Sequence, residues 1–135
     1  MRSFLLFTVT IFQILATPAT AGKTVERDGL VSVPVEIHNS GEAPILCQAE
    51  IAHWFATDLA RIEPGEGANL DLHFEPATGT WAVINRRGEA LPAERAWCGL
   101  AGRTYETRWD VSLARDQPQA RQFDCRAEGD RLNCW

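Results

Sequence analysis

The four cysteines constrain the fold of this chain more than any other feature, because disulfides between them permit only a few ways of folding it. They lie at positions 47, 98, 125 and 134. An even number of cysteines is typical of exported domains that are held together by disulfides. Four cysteines allow three pairings, and the segment DCRAEGDRLNCW, residues 124–135, selects among them.

The Gly-Asp pair at positions 129–130 suits a two-residue type II′ hairpin turn. Counting outward from that turn sets Cys125 opposite Cys134, at a pair that is not hydrogen-bonded and whose Cα atoms therefore approach most closely. A disulfide between Cys125 and Cys134 is predicted, and Cys47–Cys98 follows by exclusion. On the loop-entropy model, the Cys47–Cys98 bridge should stabilise the fold by about 4 kcal/mol and the hairpin bridge by about 2–3 kcal/mol.

The first 21 residues have the features of a secretory signal peptide. Arg2 precedes an apolar run over residues 4–15, and the segment ends in Ala-Thr-Ala at 19–21, small residues of the kind that a signal peptidase reads. The apolar run is too short to span a bilayer, which requires about 20 residues. A buried N-terminal helix is the alternative. We expect residues 1–21 to be cleaved, which leaves residues 22–135 as one exported domain without a membrane span.

The charge balance makes two classes of partner unlikely to bind. The chain has a formal net charge of −5, which becomes −6 when Arg2 is removed with the signal peptide. An acidic chain does not gain the counterion release that drives binding to polyphosphates, so neither nucleic acid nor an anionic membrane surface is an expected partner. Met1 is the only methionine, so the cleaved domain lacks the thioether ligand of many copper sites. We expect no cofactor.

Apolar residues recur with a period of two along much of the cleaved domain, which predicts strands with one apolar face. The alternating segments are Val31 to Ile37, Leu46 to Phe55, Leu70 to Phe74 and Thr104 to Leu113. Pro34 lacks a backbone donor and indicates a sheet edge. About seven or eight strands separated by turns, without a capped helical pattern, predict an all-β fold. That fold is a small antiparallel Ig-like β-sandwich or a small barrel.

Two segments lack this alternation. Residues 91–102 contain Pro92, Gly99 and Gly102, which interrupt any regular pattern. Residues 115–121 are polar and are predicted to form a surface loop.

Turn residues between the first strands follow a recognisable order. Asn39 and Gly41 form N-x-G after the first strand, and Pro-Gly-Glu at 64–66 precedes an alternating strand. Across residues 31–74 this order resembles bacterial extracytoplasmic Ig-like domains of the CARDB type. The resemblance implies a β-sandwich used for adhesion, spacing or partner binding, with no catalytic residues to carry over. Disulfides are not a hallmark of that family, and the Cys-Trp-Cys spacing of antibody domains is missing.

The stretch LCQAEIAHWF, residues 46–55, raises the question of a nucleophile or a metal site, because it contains Cys47, Glu50 and His53. On a strand, Cys47 and His53 would lie about 20 Å apart, and on a helix they would face in different directions. Motifs for phosphate binding, zinc proteases, serine hydrolases and dithiol redox chemistry are also missing. We predict no catalytic residues, with a small secreted inhibitor or hydrolase as a further alternative.

A metal site is the sharper alternative function. Asp71, His73 and Glu75 line one face of a predicted strand, and His38 and His53 would have to approach from neighbouring strands. Residues on the same face of a strand lie about 7 Å apart, so a second strand must supply a ligand. A solvated outer face explains the same residues, so we predict no metal site. Periplasmic metal binding through His38, His53 and His73 is kept as the alternative.

Binding of another protein is the leading hypothesis. On the stretch 46–55, Glu50 and Trp54 share the face opposite Cys47, which makes Trp54 a candidate exposed aromatic anchor. Core placement of Trp54 is the alternative, since large aromatic residues dominate the cores of small domains. Trp97, next to Cys98, is a further candidate. We therefore expect a periplasmic or secreted interaction or accessory module that binds another extracytoplasmic protein.

Overall fold

The structure, a computed structural model, describes residues 25, 27–52, 55–116 and 118–135. The predicted signal peptide at residues 1–21 lies outside this part of the chain, and so do His53 and Trp54. Among the described residues, no helix is long and apolar enough to cross a membrane.

Eleven β-strands and one 3-10 turn, at Arg27–Gly29, form the regular secondary structure of the described residues. The strands are β1 (Val31–Ser32), β2 (Val35–Asn39), β3 (Ile45–Ile51), β4 (Phe55–Ile62), β5 (Gly67–Asn69), β6 (His73–Glu75), β7 (Thr80–Ile84), β8 (Ala90–Leu100), β9 (Trp109–Val111), β10 (Arg121–Glu128) and β11 (Arg131–Cys134). The predicted all-β fold is confirmed, with more and shorter strands than the pattern indicates.

The strands form two sheets. The first has the order β1-β6-β7-β8-β3-β4, with β9 pairing on β8, and the second has the order β11-β10-β2-β5. The ladders between described strands are antiparallel, as predicted, except that β2 and β10 pair in parallel. A parallel pair requires a long crossover connection. The long stretch of chain between β2 and β10, which contains most of the first sheet, provides that connection.

Two bends carry the chain from one sheet to the other. β1 lies in the first sheet and β2 in the second, and β5 and β6 are divided between the sheets in the same way. Backbone hydrogen bonds hold the two bends side by side. The Val33 N–H donates to the Leu72 carbonyl at 2.8 Å, and the Leu70 N–H donates to the Val35 carbonyl at 2.9 Å. The two sheets are therefore joined along one side.

These bends correct two strand predictions. The alternating segments 31–37 and 70–74 predict one strand each, but neither is a single strand in the structure. In the first segment, Pro34 has no N–H to continue a ladder. In the second, Asp71 has a φ of 51°, which is outside the extended region. The expected sheet edge at Pro34 holds for β1, whereas β2 has a neighbour on each side.

Two further strand predictions extend too far. The stretch 46–55 is not one strand, because β3 ends at Ile51 and β4 begins at Phe55. Strand β9 covers only part of the predicted strand from Thr104 to Leu113. The cause in that segment is a turn, in which the Thr107 N–H donates to the Arg103 carbonyl at 3.1 Å.

Residues 91–102, which lack the alternating pattern in the sequence, contain most of β8, the longest strand of the described chain. β8 lies inside the first sheet and pairs with β7, β3 and β9. Ala96, Trp97, Cys98 and Gly99 are buried in succession. A strand that is covered on both faces does not show the alternation of a half-exposed strand, which is why the pattern misses it.

Both predicted disulfides are present in the structure. Cys125 and Cys134 lie opposite each other on β10 and β11, with Cα atoms 4.2 Å apart. The residues just outside them, Asp124 and Trp135, exchange two backbone hydrogen bonds, so the cysteines occupy a pair that is not hydrogen-bonded, as predicted. The second disulfide joins β3 and β8, with Cα atoms 4.0 Å apart. Each disulfide bridges neighbouring strands of one sheet, whereas the antibody disulfide joins two sheets.

The core lies between the two sheets and includes side chains from both. The rings of Phe74 and Trp81 pack with centroids 5.3 Å apart. Trp109 of the first sheet packs on Phe123 of the second, with centroids 4.7 Å apart. Other buried members of the core are Val35, Ile37, Ile45, Leu70, Leu72, Val83 and Leu132.

Candidate functional site

The solvent side of the first sheet brings together two of the three residues predicted to bind a partner. β3 and β8 pair in a register that sets Gln48 opposite Trp97 and Glu50 opposite Arg95. On β3, Gln48 and Glu50 alternate with buried residues, so the four side chains lie on the side of the sheet that faces away from the core. Trp54, the third predicted residue, lies outside the described residues.

Neighbouring strands extend this side of the sheet. β4 sets Asp58 opposite Gln48, whose side-chain amide donates a hydrogen bond of 2.8 Å to the Asp58 carboxylate. β9 sets Asp110 opposite Trp97. We define the outer face by eight residues: Gln48, Glu50, Asp58, Arg95, Trp97, Tyr105, Arg108 and Asp110.

Tyr105 is the exposed aromatic residue of the outer face. Its side chain is 54% exposed, in the loop of residues 101–108 that joins β8 to β9. The Arg108 guanidinium carbon lies 4.2 Å from the centroid of the ring, within the range of a cation–π contact. The side chain of Tyr105 is the largest cause that raises the pKa of Arg95. The ring edge contacts Trp97, with centroids 5.8 Å apart. Tyr105 is therefore held between two cationic side chains and an indole.

The loop that carries Tyr105 is fixed at its base by Thr107, which is fully buried. The Thr107 hydroxyl donates to the Arg103 carbonyl and accepts from the Leu100 N–H, each at 2.8 Å. The Thr107 carbonyl accepts the Leu132 N–H at 2.8 Å, which ties the loop to the second sheet. Both ends of the loop are therefore held by hydrogen bonds that lie inside the protein.

The loop also packs closely on β8 at Gly99. A Cβ atom at this position would lie 2.1 Å from the Thr104 carbonyl oxygen, well inside any normal contact distance. The next residue toward the start of β8, Cys98, is held to β3 by its disulfide. Glycine at position 99 is thus required for the loop to lie against the disulfide-bridged strands.

Charged side chains of both signs surround Tyr105. Arg95 lies 3.9 Å from carboxylate oxygens of both Glu50 and Asp110, and the Nε atom of Arg108 lies 3.5 Å from Asp110. Ion pairs at this degree of exposure contribute only about 0–1 kcal/mol each to stability. Their clearer effect is to orient the two guanidinium groups beside the tyrosine ring.

Two buried donors of the outer face lack a hydrogen-bond acceptor. Within the described part of the chain, Trp97 Nε1 and Arg108 Nε are the buried side-chain nitrogen or oxygen atoms without a hydrogen bond. The 3.5 Å approach of Arg108 Nε to Asp110 is an ion-pair separation with no hydrogen bond. Both residues contact Tyr105. Leaving a buried donor without a hydrogen bond costs about 1–3 kcal/mol, so these two atoms are a local cost of the packing beneath Tyr105.

The structure differs from the prediction in which residues of this face are exposed enough to contact a partner. Trp97 is only 4% exposed and supports Tyr105 from beneath, and Glu50 is half-buried beside Arg95. The residue with exposed aromatic surface is Tyr105, which the sequence pattern assigns to the apolar face of a strand. A signal for the turn does exist, because residues 99–108 contain two glycines and five charged or threonine positions around the tyrosine.

The candidate metal ligands are spread over the two sheets. His38 lies on β2 in the second sheet, with Nδ1 2.9 Å from a carboxylate oxygen of β10. His73 lies on β6 in the first sheet, near Asp71 and Glu75, and its Nδ1 is 3.1 Å from the Asp71 carbonyl. His53 lies outside the described residues. Among the residues that are described, no group of three or more His, Cys, Asp or Glu side chains could hold a metal ion.

No protein-family model matches the chain, and a search of curated proteins found no match. The similarity to CARDB-type domains therefore stays a prediction. Function is inferred from the side chains of the outer face.

Proposed function

We propose that this chain is an exported, non-catalytic β-sandwich domain that binds another extracytoplasmic protein through its outer face. The observation that carries the proposal is Tyr105, which is half-exposed and held between Arg95 and Arg108. Tyrosine and arginine are enriched among the few residues that dominate the binding energy of protein interfaces. The domain would act as an interaction or accessory module in the periplasm.

The support of Tyr105 favours binding because ordering a side chain or a loop on association costs free energy. The ring already packs on Trp97, and the buried Thr107 already fixes the loop backbone. A partner that covers Tyr105 would therefore bind a group with little freedom left to lose. The mixed charges around it suit a partner that presents both an acceptor for the arginines and an apolar contact for the ring.

The periplasmic location rests on two features. The two disulfides fit an oxidising compartment outside the cytoplasm. The apolar N-terminal segment that ends in Ala-Thr-Ala at residues 19–21 supplies the predicted export signal.

A small secreted inhibitor is the second candidate function, and the loop of residues 101–108 favours it. An inhibitor needs an exposed loop that keeps its conformation when it binds an enzyme. This loop is exposed at Arg103, Tyr105 and Glu106 and is anchored by Thr107. The two candidates differ in the partner, since an inhibitor requires an enzyme whose activity falls on binding.

Affinity capture from a native periplasmic extract tests the proposal. The bait is the wild-type domain, with Tyr105→Ala as the test variant and Trp135→Ala as the matched control. Trp135 is also 54% exposed and also lies over an arginine, at 4.8 Å from Arg126. We expect the wild-type and Trp135→Ala domains to enrich the same protein and Tyr105→Ala to lose it.

Circular dichroism and thermal unfolding would establish that both variants are folded. Equal enrichment of the same protein by all three baits would place the binding surface elsewhere and contradict the proposal. If the captured protein is an enzyme whose activity the domain lowers, the inhibitor is the correct form of the function.

A further inference from the structure

A groove of about 560 Å³ lies between β4 and the hairpin formed by β7 and β8. Its volume is within the range of small-molecule sites, about 300–1,000 Å³. Asp58 of the outer face also lines the groove, but Tyr105 and the three residues around it, Arg95, Trp97 and Arg108, do not, so the groove is separate from the tyrosine-centred part of that face.

The groove opens onto the core-facing side of the first sheet. β3 and β4 pair with Phe55 opposite Ile51, so the two side chains lie on the same face of the sheet. Ile51 is buried in the core, yet Phe55 is 54% exposed. Among the residues that the structure describes, none covers the core face of the sheet at this end, and Phe55 forms one wall of the opening.

The interior of the groove offers apolar contacts from both walls. Phe55 and Leu59 come from β4, and Val83, Ile84 and Leu91 come from the β7–β8 hairpin. Val83 belongs to the buried core, and Leu59 and Leu91 pack against that core. A hydrocarbon chain in the groove would therefore extend the apolar core outward.

The hairpin end of the groove is positively charged. Arg86 and Arg87 line it. The Arg87 side chain is 84% exposed, and its Nε atom lies 3.9 Å from Glu89, a loose pairing. Within the described part of the chain, Arg86 has no ion pair. Arg27 reaches the same turn, with Nη1 3.0 Å from the position that a Cβ of Gly88 would occupy.

This concentration of guanidinium groups contrasts with the formal net charge of −5 for the chain. Three arginines and one close glutamate surround one turn, next to exposed apolar surface. Asp58 on the β4 wall is the carboxylate of the groove lining, and it accepts a hydrogen bond from Gln48. An anionic head group would complement the arginines, and an apolar tail would complement the interior. A neutral ligand would leave the arginines unused, and a polar ligand without a tail would leave Phe55 and Leu91 exposed.

We propose that this groove binds a single-chain anionic amphiphile, with the hydrocarbon tail between β4 and the β7–β8 hairpin. The head group, a carboxylate or a phosphate, pairs with Arg86 and Arg87. The ligand binds as a monomer from solution. This activity is independent of the protein interaction through the outer face, so either can fail without the other.

Titration of the folded domain with sodium dodecanoate, followed by amide chemical shifts and calorimetry below the micelle concentration, tests the proposal. We expect saturable binding of one molecule, with shifts concentrated at residues 55–59 and 83–91. Dodecyl phosphate should bind in the same place. Dodecyl maltoside, which has the same tail and a neutral head, should bind about tenfold more weakly or worse, because it makes no charge-assisted hydrogen bonds.

Two pairs of variants locate the site. Arg86→Gln combined with Arg87→Gln should weaken dodecanoate binding by about tenfold or more, whereas Arg131→Gln, at an exposed arginine of β11, should leave it unchanged. Thr57→Trp, at a half-exposed position on the groove wall that shares the core-facing side of the sheet with Phe55, should reduce binding by occupying the groove. Ala127→Trp, at an exposed strand position elsewhere, should not.

Circular dichroism would establish that each variant is folded before its binding is compared with that of the wild-type domain. Equal binding of dodecanoate and dodecyl maltoside would overturn the proposal, and so would the absence of saturable binding. Association only with phosphatidylglycerol vesicles, without binding of monomeric dodecanoate or dodecyl phosphate, would also overturn it, because the surface would then recognise a membrane.

Discussion

Two exposed aromatic side chains of this protein, Tyr105 in the loop of residues 101–108 and Trp135 next to β11, have similar surroundings but differ in what lies beneath the ring. Tyr105 and Trp135 are each 54% exposed, each lie within 5 Å of a guanidinium group, and each lie near a disulfide. Tyr105 packs on the indole of Trp97, and its loop is anchored by a fully buried threonine. Trp135 follows β11, and its backbone is hydrogen-bonded to that of Asp124.

The difference shows that exposure alone does not make a binding residue. A ring that already packs on a fixed support loses less conformational entropy when a partner covers it than a ring without such a support. Two unpaired donors also lie against Tyr105, whereas no described buried donor without a partner lies near Trp135. We therefore expect the loop of residues 101–108 to carry function and the C-terminal hairpin to carry stability.

Removal of a disulfide should lower the free energy of unfolding more than any other change, and by different amounts in the two regions. Cys47 and Cys98 are 51 positions apart in sequence, and Cys125 and Cys134 are nine apart. Replacing the first pair with alanine should lower the free energy of unfolding by about 4 kcal/mol, and replacing the second by about 2–3 kcal/mol, because the longer loop loses more entropy when it is closed. Urea denaturation of both double variants measures this, and an equal loss from the two would break the comparison.

The next largest loss of stability should come from substitution of Gly99, where the loop packs on β8. Gly99→Ala places a methyl group where the Thr104 carbonyl lies, so backbone must shift, and overpacking of this kind costs about 1–3 kcal/mol or more. Gly67→Ala is the matched control, because a Cβ there would make an ordinary contact of 3.5 Å with the Ile37 carbonyl. Urea denaturation should show a clear loss for Gly99→Ala alone, and similar stability of the two variants would contradict the close packing.

A smaller effect should come from the hydroxyl of Thr107. Thr107→Val keeps the shape of the side chain but leaves the Leu100 N–H without its acceptor, which should cost about 1–3 kcal/mol. Thr104→Val is the control, because Thr104 is also buried and its hydroxyl has no hydrogen bond with another described residue. Amide hydrogen exchange should speed up at residues 100–107 in the Thr107 variant only. Unchanged exchange there would mean that the hydroxyl does not hold the loop.

The sequence predicts a region well when the interactions that fix its structure are between residues close together in the sequence. The C-terminal hairpin depends on a Gly-Asp turn and on counting residues away from it, so its register and disulfide are predicted correctly. Gly129 has a φ of 59°, while Asp130 is not among the described residues with positive φ, as a type II′ turn requires. The loop around Tyr105 depends on a threonine that bonds to β11 and on a glycine that packs against the loop.

Tertiary contacts also explain the other failures. β8 is buried on both faces and shows no alternation, so the strand that carries Arg95 and Trp97 is not predicted. The bends at Pro34 and Asp71 preserve alternating burial while the chain changes sheets, so the sequence pattern cannot reveal them. Strand alternation predicts the side of β3 on which Glu50 lies, whereas the position of Trp97 beside it follows from the pairing of β3 with β8.

The central claim is that Tyr105 is the anchor of a protein interface, and the dissociation constants of the two aromatic variants for the captured partner test it most directly. Removal of a dominant interface residue costs at least about 2 kcal/mol, so Tyr105→Ala should raise the dissociation constant by about 30-fold or more. Trp135→Ala should leave it within about twofold of the wild-type value, the usual effect of a surface change outside the interface. Equal weakening by the two variants, or a larger effect from Trp135→Ala, would contradict the account.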